Sequence, residues 1–172
     1  PYKKYIFSQM LKSLEYPFDG LMLDKIRYTN LVYTYGDFHL SKALRSGINI
    51  DKVIDNAIET VYDDSNENSM FIKYRDGDWD VNEWIKIKKN DIEEYVKECR
   101  KITNERNIEL SVSFMPEGAY DLEFADVHYA QNYKELSYHL DFIVIMAYPQ
   151  NFSQPESWIK MVTASAKSIS SC

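Results

Sequence analysis

Apolar and polar positions along this chain alternate between two periods. Residues 3–15 put Ile6, Phe7, Met10, Leu11 and Leu14 on one face, the spacing of an amphipathic helix. Tyr16-Pro17 ends it, because proline holds the preceding residue out of the helical region. Asp19-Gly20 then turns the chain into Leu21-Met22-Leu23, an apolar run that closes on Asp24, Ile26, Arg27 and Tyr28. Strands buried on both faces read as near-continuous apolar runs, so a parallel strand covered by helices is predicted, with charges and a phenol at its carboxyl end. Residues 108–117 and 141–150 repeat the design: Leu110-Ser111-Val112-Ser113-Phe114 leads to Glu117, and Phe142-Ile143-Val144-Ile145-Met146 leads to Tyr148 and Gln150.

Helical stripes separate the strands. Val53, Ile54, Ala57, Ile58 and Val61 form one, starting near Asn49. Residues 29–40, rich in Tyr33, Tyr35, Gly36, Asp37 and His39, read as a loop over the strand ends. Asp76, Asp78 and Asp80 are spaced two apart as in a calcium loop, but the glycine and distal glutamate of such a loop are missing. The competing reading is a capping box, Asp80 with Glu83, opening a short helix through Trp84 and Ile87; Asn90 with Glu93 repeats it and opens a second helix through Cys99. Residues 118–126 read as an acidic loop, 128–140 as a helix and 157–168 as the closing helix. The alternation predicts an α/β fold, a β/α barrel or a doubly wound sheet, with chemistry at the carboxyl ends of the strands.

Composition narrows the classes. A net charge of -7 leaves no basic cluster for phosphate backbones, which argues against a nucleic-acid partner. No apolar run reaches the 18 residues of a membrane span. The 14 Tyr, 8 Phe and 3 Trp supply flat faces with polar handles, suited to sugar stacking as well as to cores. His39, His128 and His139 share no metal-ligand spacing, and neither a phosphate-cradling glycine loop nor a nucleophile elbow occurs, so no metal or cofactor is expected. Three strands are too few for a barrel, which needs about eight. The 172 residues are therefore expected to be a single domain cut from a larger barrel, or one whose uncovered sheet edges self-associate.

The run Phe18-Asp19-Gly20-Leu21-Met22-Leu23-Asp24-Lys25-Ile26-Arg27-Tyr28 resembles the corresponding strand of the family-10-like glycoside hydrolases, bacterial β/α-barrel proteins of the cell envelope. Trp84 before a helix, Leu110-Ser111-Val112-Ser113, Ala130-Gln131-Asn132-Tyr133 and Asp141-Phe142-Ile143-Val144-Ile145-Met146-Ala147-Tyr148 follow in a similar order. Asn132-Tyr133 departs from the acidic and Trp pair usual there, and the insertion before Trp84 is long. The resemblance implies a partial TIM barrel from the middle of such a domain, secreted or envelope-associated, acting on a polysaccharide.

Glycoside hydrolysis needs two carboxyl groups. Asp24 and Glu117 are the candidates, Asp24 as general acid/base and Glu117 as the second carboxylate or a substrate ligand. Arg27, Tyr28, His128, Gln131, Met146, Tyr148 and Gln150 are the candidate substrate-binding residues. An Asp24–Arg27 ion pair that merely orders the next loop is the competing reading, and a non-catalytic carbohydrate-binding module or a protein-interaction domain are the competing functions.

Overall fold

A computed structural model describes residues 2–29, 31 and 35–172. The chain is a mixed α/β structure in which helices flank one three-stranded parallel sheet. Helix α1 (Tyr2–Ser13) precedes β1 (Gly20–Leu23), and α2 (Asp37–Arg45), α3 (Ile50–Tyr62), α4 (Met70–Arg75) and α5 (Trp79–Arg106) separate it from β2 (Glu109–Phe114). A 3₁₀ turn (Pro116–Ala119), the one-turn α6 (Leu122–Phe124), a π-helical turn (Ala125–Tyr129) and α7 (Tyr133–Ser137) lead to β3 (Phe142–Ile145), and α8 (Ser157–Ile169) follows. The strands lie in the order β1-β2-β3, with Leu23 opposite Val112 and Val112 opposite Ile143.

That register sorts the side chains. Leu23, Leu110, Val112 and Phe114 point to one face and pack with Met10, Val96, Cys99, Tyr133, Leu136 and Val162 from the helices. The other face carries Met22, Ser111, Ser113 and Phe142, and Met22 and Phe142 remain 55% and 44% exposed. Helices therefore cover one face only, not both as the apolar runs predicted. Ser111 and Ser113 already broke the run in β2; on the central strand they are themselves buried, while Met22 and Phe142 flanking them on the same face reach solvent.

The insertion before β2 builds a second core. Ala43, Ile50, Val53, Ala57 and Met70 close on Val81, Trp84 and Ile85. Helix α5 serves both cores as one 28-residue rod where two helices were predicted. Its cap is Asp78, which accepts from the Val81 amide at 3.2 Å, not Asp80, whose carboxylate takes Asn49 N–H and Lys52 Nζ. Asn90 sits exposed in mid-helix, and neither Gly nor Pro interrupts the rod before Asn107, a left-handed cap at φ 54°. The same contacts occupy Asp78 and Asp80 in helix capping and ion pairing, not in a calcium loop.

Four further boundaries differ. Asp37–Leu40 opens α2 where a loop was predicted, and Tyr33 lies outside the described residues. Strand β2 ends at Phe114, so Glu117 belongs to the 3₁₀ turn that Pro116 begins. The predicted helix at 128–140 shrinks to Tyr133–Ser137, because Ala130 takes a left-handed conformation at φ 51° and Asn132 caps a new start by accepting from Glu135 N–H. The third strand stops at Ile145, before Met146 and Tyr148. Among the described residues, no helix is long and apolar enough to cross a membrane.

Candidate functional site

Asp24 follows β1 directly, and the register sets it opposite Ser113 of β2. Ser113 Oγ donates to Asp24 Oδ1 at 2.6 Å and the Lys25 amide to the same oxygen at 2.8 Å. Those two bonds, with smaller help from the charges of Arg27 and Lys25, hold the carboxyl below the usual carboxylate range. No ion pair joins Asp24 to Arg27 among the described residues, so the competing loop-ordering reading has no contact to rest on.

The backbone that carries these groups is sharply folded. Lys25 is left-handed at φ 55°, and its carbonyl accepts from the Arg27 amide at 2.9 Å. A lysine held there is strained by about 1 kcal/mol or more, the kind of outlier that clusters at functional sites. The turn leaves Asp24, Lys25, Arg27 and Tyr28 around a cavity of about 580 Å³ closed by Ile6 of α1 and by Asp91, Ile92 and Tyr95 of α5. Arg27 has one guanidinium nitrogen, Nη1, buried with no hydrogen-bond partner.

Tyr28 is tied down at both ends. Its amide donates to the Tyr129 carbonyl at 3.0 Å, and its phenol lies 2.7 Å from His39 Nε2. The same nitrogen stands 3.1 Å from Asp91 Oδ2, and Lys42 pairs with the other Asp91 oxygen. Burial raises the Asp91 carboxyl, but the contacts of His39 and Lys42 outweigh it and leave the group below its usual range. Burial, and then the Asp91 charge, push the Tyr28 phenol up.

Glu117 stands on the exit of β2. Tyr129 Oη donates to its Oε1 at 3.1 Å, while Oε2 is buried with no partner. Burial raises the Tyr129 phenol, Glu117 raises it further, and the Arg27 charge opposes both. Tyr129 thus lies within electrostatic reach of Arg27 and Glu117 together.

The other expected ligands fare differently. Gln131 is 1% exposed and its amide is fully engaged: Oε1 accepts from Met115 N–H at 2.9 Å, and Nε2 donates to the carbonyls of Ile26 and Ser113 at 3.0 and 2.9 Å. It ties the exits of β1 and β2 together and has no donor left for a substrate. His128 stacks on Phe124 at 5.1 Å and meets the edge of Tyr129 at 4.6 Å; burial, then the charge of Lys88, lowers its pKa. Met146 is half-buried, and Tyr148 and Gln150 are exposed, with no described side-chain bond to Asp24 or Glu117.

No family model matches the chain, nor does any curated protein. The site therefore rests on its own chemistry, which includes residues the sequence reading missed. Ser113 shares the parity of Asp24 across two strands, a signal legible only once their register is known. Lys88 is the other omission. It is fully buried, has no carboxylate within ion-pair distance among the described residues, donates weakly to the Val127 carbonyl at 3.4 Å and sits 5.7 Å over the Tyr28 ring. Burial brings its pKa down to about 7. Its place in the stripe Val81, Trp84, Ile85, Lys88, Ile92 was visible in the sequence.

Proposed function

We propose that the chain is part of a β/α-barrel glycoside-hydrolase-like domain that acts on a polysaccharide at the carboxyl ends of its strands. The observation that carries this reading is Asp24: exposed, unpaired with Arg27 and held ionised by Ser113 beside a cavity with apolar and aromatic walls. The bare sheet face, with Met22 and Phe142 in solvent, supports the partial-barrel reading, since that face becomes the interior when further strands close the sheet.

The lowered pKa of Asp24 changes the division of roles. A carboxylate kept charged serves as base or nucleophile, not as the proton donor to the leaving oxygen. Asp24 takes that part, and Glu117, on the neighbouring strand exit, protonates the leaving group. Arg27 and Tyr28, which line the cavity with Asp24, position the sugar along it. Asp24→Asn and Glu117→Gln are each expected to lower reducing-end release from a polysaccharide panel by a hundredfold or more, on the order of the 10²–10⁴ that a general acid or base contributes. Full activity in either variant would remove that residue from the reaction.

A further inference from the structure

One nitrogen behind the cavity wall stands within reach of two partners. His39 of α2 brings Nε2 within 2.7 Å of the Tyr28 phenol, from the turn after β1, and within 3.1 Å of Asp91 Oδ2, from α5. The first contact has the geometry of a hydrogen bond. The second is at ion-pair distance only: Asp91 Oδ2 is buried without a hydrogen-bond partner, while Lys42 holds Oδ1. The imidazole makes T-shaped contacts with Phe38 and Trp84 at 5.4 and 6.3 Å, and Tyr35 stacks on Trp84 at 5.1 Å. Among the described residues, the titratable and charged groups that face this node are Tyr28 from the β1 exit, Lys42 from α2, and Asp91 and Lys88 from α5, with Lys88 Nζ 5.7 Å over the Tyr28 ring.

A ring nitrogen offers either a lone pair or an N–H, never both at once. With the lone pair, Nε2 accepts from Tyr28 and leaves Asp91 Oδ2 unmatched, the arrangement that the geometry fits. With the proton, Nε2–H is drawn to the carboxylate, because a charge-assisted bond is about twice as strong as a neutral one, and Tyr28 loses its acceptor. We propose that His39 is a protonation-controlled latch: neutral, it holds the Tyr28 side chain; protonated, it turns to Asp91 and lets the phenol go. The exchange is confined to side chains, since the Tyr28 amide stays bound to the Tyr129 carbonyl at 3.0 Å. Tyr28 and Asp91 line the cavity together with Asp24 and Arg27, so the latch couples the cavity wall to pH. It does so whatever the cavity binds.

The test is nitrogen-detected NMR of the histidine rings in the whole chain, titrated from about pH 8 to about pH 5, the range in which histidines change charge. His39→Gln identifies the His39 signals by their loss. At the alkaline end the neutral ring is expected to carry its proton on Nδ1 and leave Nε2 bare, by roughly tenfold over the other tautomer, the factor of one net hydrogen bond. At the acid end Nε2 is expected to be protonated, and the Tyr28 ring signals to shift with the same midpoint as the imidazole. Tyr28→Phe is expected to reverse the neutral tautomer, moving the proton to Nε2 and toward Asp91. An Nε2 that is protonated across the whole range overturns the proposal, because Asp91 is then its partner in every state. So do Tyr28 signals that ignore the His39 titration, or a neutral tautomer unchanged in Tyr28→Phe. If that variant does not fold, the titration of the unaltered chain decides alone.

Discussion

Ser113 sets the charge state of Asp24 more than any cation does, since its hydroxyl is the largest contribution to the lowered pKa. Ser113→Ala is expected to move the Asp24 titration up toward the ordinary aspartate range, as followed by carbon-detected NMR of the carboxyl; an unmoved midpoint would show that the Lys25 amide alone suffices. Lys88 makes the opposite case, a charge the fold suppresses. Its pKa falls from 10.5 in the unfolded chain to about 7 in the fold, so between those values the unfolded chain holds the extra proton. The penalty that Lys88 places on stability is therefore fully present below about pH 7 and fades as pH climbs from about 7 toward 10.5. Lys88→Met is expected to raise the unfolding midpoint at neutral pH, with a gain that fades toward pH 10.5, measured by thermal denaturation across that range. A gain independent of pH would assign the effect to packing instead. The sequence showed where each of these side chains stood along its element, but the partners come from residues 89 and 39 positions away. Local periodicity carries no such information.

Among the elements, the strand runs were legible because their apolar spacing survives any context. The ends of the helices were not. Two capping signatures inside residues 80–93 matched true caps in type, yet Asp80 and Glu83 instead form contacts with Lys52 and Lys86, and the rod continues through both. Continuity across two cores outweighs local capping preference there. The π-helical turn at Ala125–Tyr129 had no sequence signal, although it brings Tyr129 to Glu117. Two residues pin this region to the strands. Gln131→Ala removes three hydrogen bonds to backbone groups at the β1 and β2 exits, one of them fully buried, and is expected to cost about 2 kcal/mol in urea unfolding. At Gly118 a methyl group would lie 2.7 Å from the Tyr133 ring and 2.9 Å from Ala125 Cβ, so Gly118→Ala is expected to destabilise by about 1–3 kcal/mol. A neutral result in either variant would show that this turn relaxes freely.

On the scale of the whole molecule, the sheet has one face packed and one open. Met22→Ser together with Phe142→Ser is expected to change unfolding free energy by no more than about 0.5 kcal/mol per site, because both side chains are exposed. The same pair is expected to weaken any self-association seen in sedimentation velocity, since exposed apolar patches and unpaired parallel edges are what another chain would cover. A large loss of stability would mean that this face is buried. The central claim, that Asp24 and Glu117 act as a pair on a sugar, is tested most directly by a crystal structure of the chain with an oligosaccharide bound. The expected result is a sugar ring between the two side chains, with their carboxyl groups roughly 5 to 10 Å apart, the lower value for a retaining and the higher for an inverting reaction. A sugar bound away from both carboxyls, or a separation well beyond that range, would contradict it.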